Sequence, residues 1–170
     1  NCDQITSISG SLTDIANVYT SAGFSGLGDE NLFFIFANIR AEELNTIDAA
    51  NSRVIDGTGI KSLTGSAAAI NTAYSSEGIS GLGSQTVTLS DTSLAAAVLN
   101  TLDGNTTGLI DASSITSLSG SSAALIAAYT SSGITGLSNE TITLSDSSLS
   151  ASVLNTLDGH TSGVIDASSI

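Results

Sequence analysis

The chain has 170 residues, 41% of them hydrophobic, with 16 acidic against three basic side chains and a net charge of −13. A field of that sign repels phosphate backbones and anionic lipid heads, which argues against nucleic acid and anionic membrane surfaces as partners. No run of about 18 apolar residues is present, so no membrane insertion is expected, and the apolar content is enough for an ordered core.

Only 11% of residues are charged, so the surface is expected to be mostly Ser, Thr, Asn and Gly. Hydroxyl-rich, lysine-poor surfaces of this kind are common in large secreted bacterial proteins, a compositional association and not a mechanism. Cys2 is the only cysteine, which rules out an internal disulfide and reads as an incidental thiol near a chain end.

The elements recur with a fixed period of 55. Ile5, Ile60, Ile115 and Ile170 share one register, and Tyr19, Tyr74 and Tyr129 another. The units are residues 5–59, 60–114 and 115–169, with Ile170 opening a fourth. The second and third agree at 36 of 55 positions, the first and second at 19. Asn1 in place of Met and the lone Ile170 both read as cuts through a longer or processed protein. A fixed period of this size points to stacked supersecondary units that share a core with their neighbours.

The first unit diverges. All four Phe (Phe24, Phe33, Phe34 and Phe36) and both Arg (Arg40 and Arg53) lie in it. Phe36 stands where the later units have Asp91 and Asp146. Terminal repeats close off an exposed core, so a capping or junction role is expected. The alternative is a partner surface at Phe33, Phe34 and Phe36.

The later units share one plan, clearest in the third. Residues 115–118 read as a short strand. Ser121 or Ser122 offers an N-cap for a helix over 123–129, with Leu125, Ala128 and Tyr129 on one face. Gly133 is expected in the left-handed region, closing that helix in a Schellman motif with Ile134. Residues 134–137 are a short extended segment, and 141–144 alternate as a half-buried strand. Asp146 is expected to cap a helix over 147–157 with Leu149, Val153 and Leu157 on its inner face; Gly159 ends it. Asp91 has the same role in the second unit.

Each unit thus holds two strand–helix coils of roughly 25–30 residues. The expected fold is an α/β solenoid, with a parallel sheet on one side and short helices on the other. Helices of about 11 residues are not stable alone and need the stack. A compact layered α/β domain is the runner-up, disfavoured by the strict period.

Little in the chain suggests chemistry. His160, the only histidine, has Asn105 as its counterpart and reads as solvent-facing. The segment from Gly78 to Gly83 lacks the context of a nucleotide loop. No catalytic, cofactor-binding or metal-ligating residue is assigned. Asp103, Asn105 and Thr107 form an oxygen-rich turn for which calcium is the one candidate cofactor, but the set decays to Asp158, His160 and Ser162, and to Asp48, Ala50 and Ser52. Asp56, Asp111 and Asp166 read as Asx turns. The pairs Thr86/Thr88 and Thr141/Thr143 are too sparse for an ice-binding array. Asn105 and Asn139 open glycosylation sequons.

The runs Thr-Leu-Ser-Asp-(Ser/Thr)-Ser-Leu, Val-Leu-Asn-Thr-Leu-Asp-Gly, Ile-Asp-Ala-Ser-Ser-Ile-Thr-Ser-Leu and Gly-Ile-Thr-Gly-Leu resemble repeats of very large extracellular proteins of cyanobacteria, especially marine ones, and related bacteria. The resemblance covers units two and three fully and unit one loosely. It implies a secreted or cell-surface role in motility, adhesion, or a sheath or filament. The expectation is therefore a non-enzymatic spacer or self-associating rod, paired with itself or with neighbouring repeats of a longer chain. An adhesin or fibre module that recognises glycans or a surface protein is the alternative.

Overall fold

A computed structural model describes residues 2–34 and 38–170. The fold is α/β, and every strand pairing among the described residues is parallel. In chain order the first unit contains β1 (Ser7–Gly10), α1 (Leu12–Thr20), β2 (Asn31–Phe34), β3 (Ile39–Arg40), α2 (Ala41–Ala50) and β4 (Ile55–Asp56). The second contains β5 (Ser62–Gly65), α3 (Ala67–Ser75), β6 (Ile79–Ser80), β7 (Thr86–Leu89), β8 (Ser93–Ala95), α4 (Ala96–Asn105) and β9 (Ile110–Asp111). The third contains β10 (Ser117–Gly120), α5 (Ser122–Thr130), β11 (Ile134–Thr135), β12 (Thr141–Leu144), α6 (Ala151–Asp158) and β13 (Ile165–Asp166).

Strand registers explain the odd length of the period. In the five-stranded sheet β3-β5-β7-β9-β11, Ile39 faces Leu63, Leu63 faces Val87, Val87 faces Ile110, and Ile110 faces Ile134. Adjacent strands of this sheet are thus nearly evenly spaced along the chain. From Val87 the chain moves seven residues on to Leu94 in β8, which belongs to the next sheet, β8-β10-β12-β13. The two strand steps from Ile39 to Val87, plus this seven-residue advance, make up one full period. The two halves of the first and second units are therefore not equal coils: the second half carries an additional strand, β3 or β8, that shifts the chain into a new sheet.

The helices follow in one series, each touching the next from α1 to α6. Inward residues of the strands (Leu63, Val87, Ile110, Leu118 and Ile142) and of the helices (Leu44, Ile47, Ile70, Leu99, Leu102 and Leu125) are almost wholly buried. Each such side chain contributes about 1.5–3 kcal/mol by burial, and this shared core makes up for the marginal stability of helices only 8–10 residues long. Small helical residues (Ala41, Ala67, Ala73, Ala96 and Ala128) are buried as well.

Ser11, Ser66 and Ser121 cap α1, α3 and α5, each accepting the amide three residues on at 3.1–3.3 Å. Of the two candidates for α5, Ser121 is the cap and Ser122 is the first helical residue.

Three local expectations are corrected. Asp91 and Asp146 do not cap the helices that follow them. Helix α4 begins at Ala96 behind Ala95, and α6 at Ala151 behind Ser150. Asp91 instead accepts the Ala67 amide at the start of α3 (2.7 Å), and Asp146 accepts the Ser122 amide at the start of α5 (2.6 Å). Each carboxylate thus caps a helix one strand step upstream, because the sheet register sets the loop beside that helix end.

The inner face of the second helix in each unit also differs from expectation. Leu94 and Leu149 precede their helices, and the buried residues are Ala96, Leu99 and Leu102 in α4 and Leu157 in α6. Lastly, Gly133 does not close a Schellman motif. Ser131 ends α5 in an extended conformation, and Gly133 has no positive φ. Gly133 instead sits in close approach to Asp103, whose carboxylate a Cβ there would displace. Gly159 does cap α6, but in the right-handed region.

Candidate functional site

The most concentrated polar chemistry lies in a buried niche repeated once per unit, and sequence reasoning missed half of it. The niche joins a tyrosine late in the first helix, an acid or amide in the loop that follows, and a polar residue just after the second helix. In the first unit, the Tyr19 hydroxyl donates to Glu30 Oε2 (2.6 Å), and Glu30 also accepts the Gly28 amide (2.9 Å). Asn51 Nδ2 donates to the Glu30 carbonyl and to the Tyr19 hydroxyl, both at 2.9 Å. In the third unit, the Tyr129 hydroxyl donates to Glu140 (2.8 Å), Glu140 accepts the Ser138 amide, and the Thr161 hydroxyl donates to the Glu140 carbonyl (3.0 Å).

The second unit has Gln85. Its Oε1 accepts the Gly83 and Ser84 amides, and its Nε2 donates to the Ile60 and Gly81 carbonyls. The Tyr74 hydroxyl then has only Thr106 beside it and makes no hydrogen bond of ordinary geometry among the described residues. Glu30, Gln85 and Glu140 are all buried.

Electrostatics follow from the burial. Desolvation raises the Tyr19 and Tyr129 hydroxyls well above their ordinary value, reinforced by the Glu30 and Glu140 carboxylates that accept from them. Desolvation also raises Tyr74, with Thr106 acting the other way. Burial by itself would raise the Glu30 carboxyl, but hydrogen bonds from Tyr19 and the Gly28 amide outweigh it and hold it below the usual range. These tyrosines stay protonated as donors, and loop amides take up the carboxylates opposite them. The arrangement ties each loop to the tyrosine of the preceding helix.

A second set of contacts ties each unit to the next. Glu42 Oε1 accepts the Ser66 amide (3.0 Å) at the start of α3. Burial raises this carboxyl, but the Ser66 amide, with a smaller contribution from the Arg40 charge, brings it below its ordinary value. Asn45 Nδ2 donates to the Ala69 carbonyl (2.8 Å), and Asn100 Nδ2 to the Ala124 carbonyl (2.9 Å). Asp48 accepts from the Ser76 hydroxyl (2.6 Å), and Asp103 from the Ser131 hydroxyl (2.7 Å).

Asp103, the head of the candidate calcium turn, is engaged by Ser131, and Asn105 lies inside α4. No group of three or more His, Cys, Asp or Glu able to hold a metal occurs among the described residues. The Asx expectation holds: Asp56, Asp111 and Asp166 each accept the amide two residues on at 3.0 Å. Bonds from the Thr58, Ser113 and Ser168 amides and hydroxyls lower their pKa values. His160 is not simply solvent-facing. It is half-buried and stacks on Tyr129, with ring centroids 5.6 Å apart. Cys2 is half-buried with a free thiol.

The expected aromatic surface is corrected in part. Phe33 is exposed, but Phe34 is buried because strand alternation turns it inward opposite Gly10. Phe36 lies outside the described residues. Leu32, Phe33, Phe34, Asp56, Thr58 and Gly59 line a shallow pocket of about 250 Å³. Among the described residues, no helix is long and apolar enough to cross a membrane.

The niche was legible in principle. Glu30, Gln85 and Glu140 follow Tyr19, Tyr74 and Tyr129 at one constant spacing, each in a glycine-rich loop, and Glu and Gln share a side-chain oxygen acceptor. No family model, curated protein or solved structure matches the chain.

Proposed function

We propose that the chain is a non-enzymatic repeat segment of a secreted cell-surface or extracellular-filament protein, an α/β solenoid that acts as a spacer or self-associating rod. The observation that carries this reading is where the polar side chains are used. Glu42, Asn45, Asp48, Asp91, Asn100, Asp103 and Asp146 all bond helix ends or helix backbones about one strand step away. The Tyr–Glu and Tyr–Gln niches hold loops. Polar groups used to join neighbours are what a stacked array requires. Small-angle scattering of the isolated chain should give an elongated particle, and a compact sphere of the same mass would sink the rod.

A binding module for glycans or a surface protein is the second reading. It is favoured by the exposed Phe33 beside its pocket and by Val54, Leu109 and Val164, exposed at one register in every unit. Hits on a glycan array that vanish in Phe33→Ala would select it.

A further inference from the structure

The two ends of the array carry the two halves of one internal contact. Where α2 meets α3 and α4 meets α5, the earlier helix supplies an Asn and an Asp. The later helix supplies a carbonyl and the Ser of a Ser-x-Gly turn. Ser76 Oγ and Ser131 Oγ also accept the Gly78 and Gly133 amides, both at 3.0 Å. A Cβ at either glycine would strike the Asp48 or Asp103 carboxylate and displace it from this contact.

On α6, Asn155 and Asp158 stand at the positions of Asn100 and Asp103. Both are exposed, and no hydrogen bond reaches either side chain among the described residues. On α1, Ser21 stands at the position of Ser76 and already accepts the Gly23 amide (3.2 Å). A Cβ at Gly23 would meet only Ser21 Oγ, at 3.4 Å. Within this 170-residue segment the receptor lies on the α1 face and the matching carboxylate on the α6 face.

Apolar exposure divides in the same way. Ile60 and Ile115 are 2% exposed, whereas their counterpart Ile5 is 41% exposed. Ile79 and Ile134 are 8% and 9% exposed, whereas their counterpart Phe24 is 51% exposed. At the opposite end, Leu154 is only half-buried where Leu44 and Leu99 are fully covered by the next helix.

We propose that the α6 end docks onto the α1 end of a second copy of this chain, head to tail. Asp158 accepts from Ser21 of the second copy, Asn155 donates to the Asp14 carbonyl, and Phe24 and Ile5 become covered. This rests on the rod reading and names its joint. Asp14 and Val18 stand where the inner helices have Ala69 and Ala73, so the joint is looser than the internal contacts, and like charge opposes it. Salt should therefore strengthen association, by screening.

The test is sedimentation velocity over a concentration series, with circular dichroism to verify folding. The unaltered chain should form a concentration-dependent series of oligomers. Gly23→Leu blocks the receptor and Asp158→Lys removes the carboxylate; each alone should associate at least tenfold more weakly. Mixed, they should form 1:1 dimers and nothing longer, because only one competent joint exists per pair. An unaltered chain that stays monomeric at high concentration in high salt would overturn the proposal. So would blocked variants that associate like the parent, or a mixture that forms no dimer. The rod reading is judged separately by the scattering profile of the monomer, so an elongated monomer would remove the joint and leave the spacer.

Discussion

Asn51 and Arg53 in the first unit replace the pair Thr106 and Gly108 in the second and Thr161 and Gly163 in the third. In the later units one hydroxyl bridges two backbones. Thr106 Oγ1 accepts the Gly108 amide (3.0 Å) and donates to the Gln85 carbonyl (3.2 Å); Thr161 does the same between Gly163 and Glu140. A single bridging atom draws the strands so close that a Cβ at Gly108 or Gly163 would collide with the facing carbonyl.

In the first unit a whole amide makes the bridge. Asn51 Oδ1 accepts the Arg53 amide (2.8 Å), and Nδ2 donates to the Glu30 carbonyl (2.9 Å). The wider bridge leaves room for a side chain, and the Arg53 guanidinium reaches back to the Asp29 carbonyl. The two residue identities are coupled by one spacing, which simple divergence of a terminal repeat does not explain.

That coupling can be broken directly. Gly108→Ala should cost about 3 kcal/mol, because the collision is with backbone and cannot be relieved by a rotamer. Chemical denaturation of the variant and parent measures it. Adding Thr106→Asn should recover more than half of the loss, a non-additivity that a double-mutant cycle reads directly. If the two changes simply add, the bridge does not set the spacing.

The niche behind the bridge gives a smaller effect. Glu30→Ala strands the Tyr19 hydroxyl and the Gly28 amide and should cost about 2 kcal/mol in the same denaturation experiment. Glu30→Gln should cost less than about 1 kcal/mol, since the second unit already uses Gln85 at this place.

The smallest effect is in pH dependence. Glu30 and Glu42 have folded-state pKa values below the ordinary 4.5, so the unfolded chain takes up their protons first as the solution is acidified. Their contribution is complete above about pH 4.5 and is lost as pH falls through the folded values. Glu30→Gln should flatten this acid limb in thermal melts taken from about pH 6 to 3. Tyr19 and Tyr129 are shifted the other way, so their contribution is complete below about pH 10 and falls above it.

The sequence alone was enough to read the period, a Ser cap at Ser121 or Ser122, the Asx turns at Asp56, Asp111 and Asp166, and the alternation of Thr141–Leu144. Apart from the period, each depends on residues within a few positions of one another, and local geometry carries such signals. No local pattern placed Asp91 and Asp146 on helices a full strand step upstream, or Gly108 and Gly133 against a facing carbonyl and a facing carboxylate; the spacing of Glu30 and Glu140 behind Tyr19 and Tyr129 was visible, but their burial was not. Those partners are brought together only by the strand register, and nothing local distinguishes an Asp beside its own helix from an Asp beside its neighbour's. Local chemistry determined which elements form; the register of parallel strands decided which side chains meet.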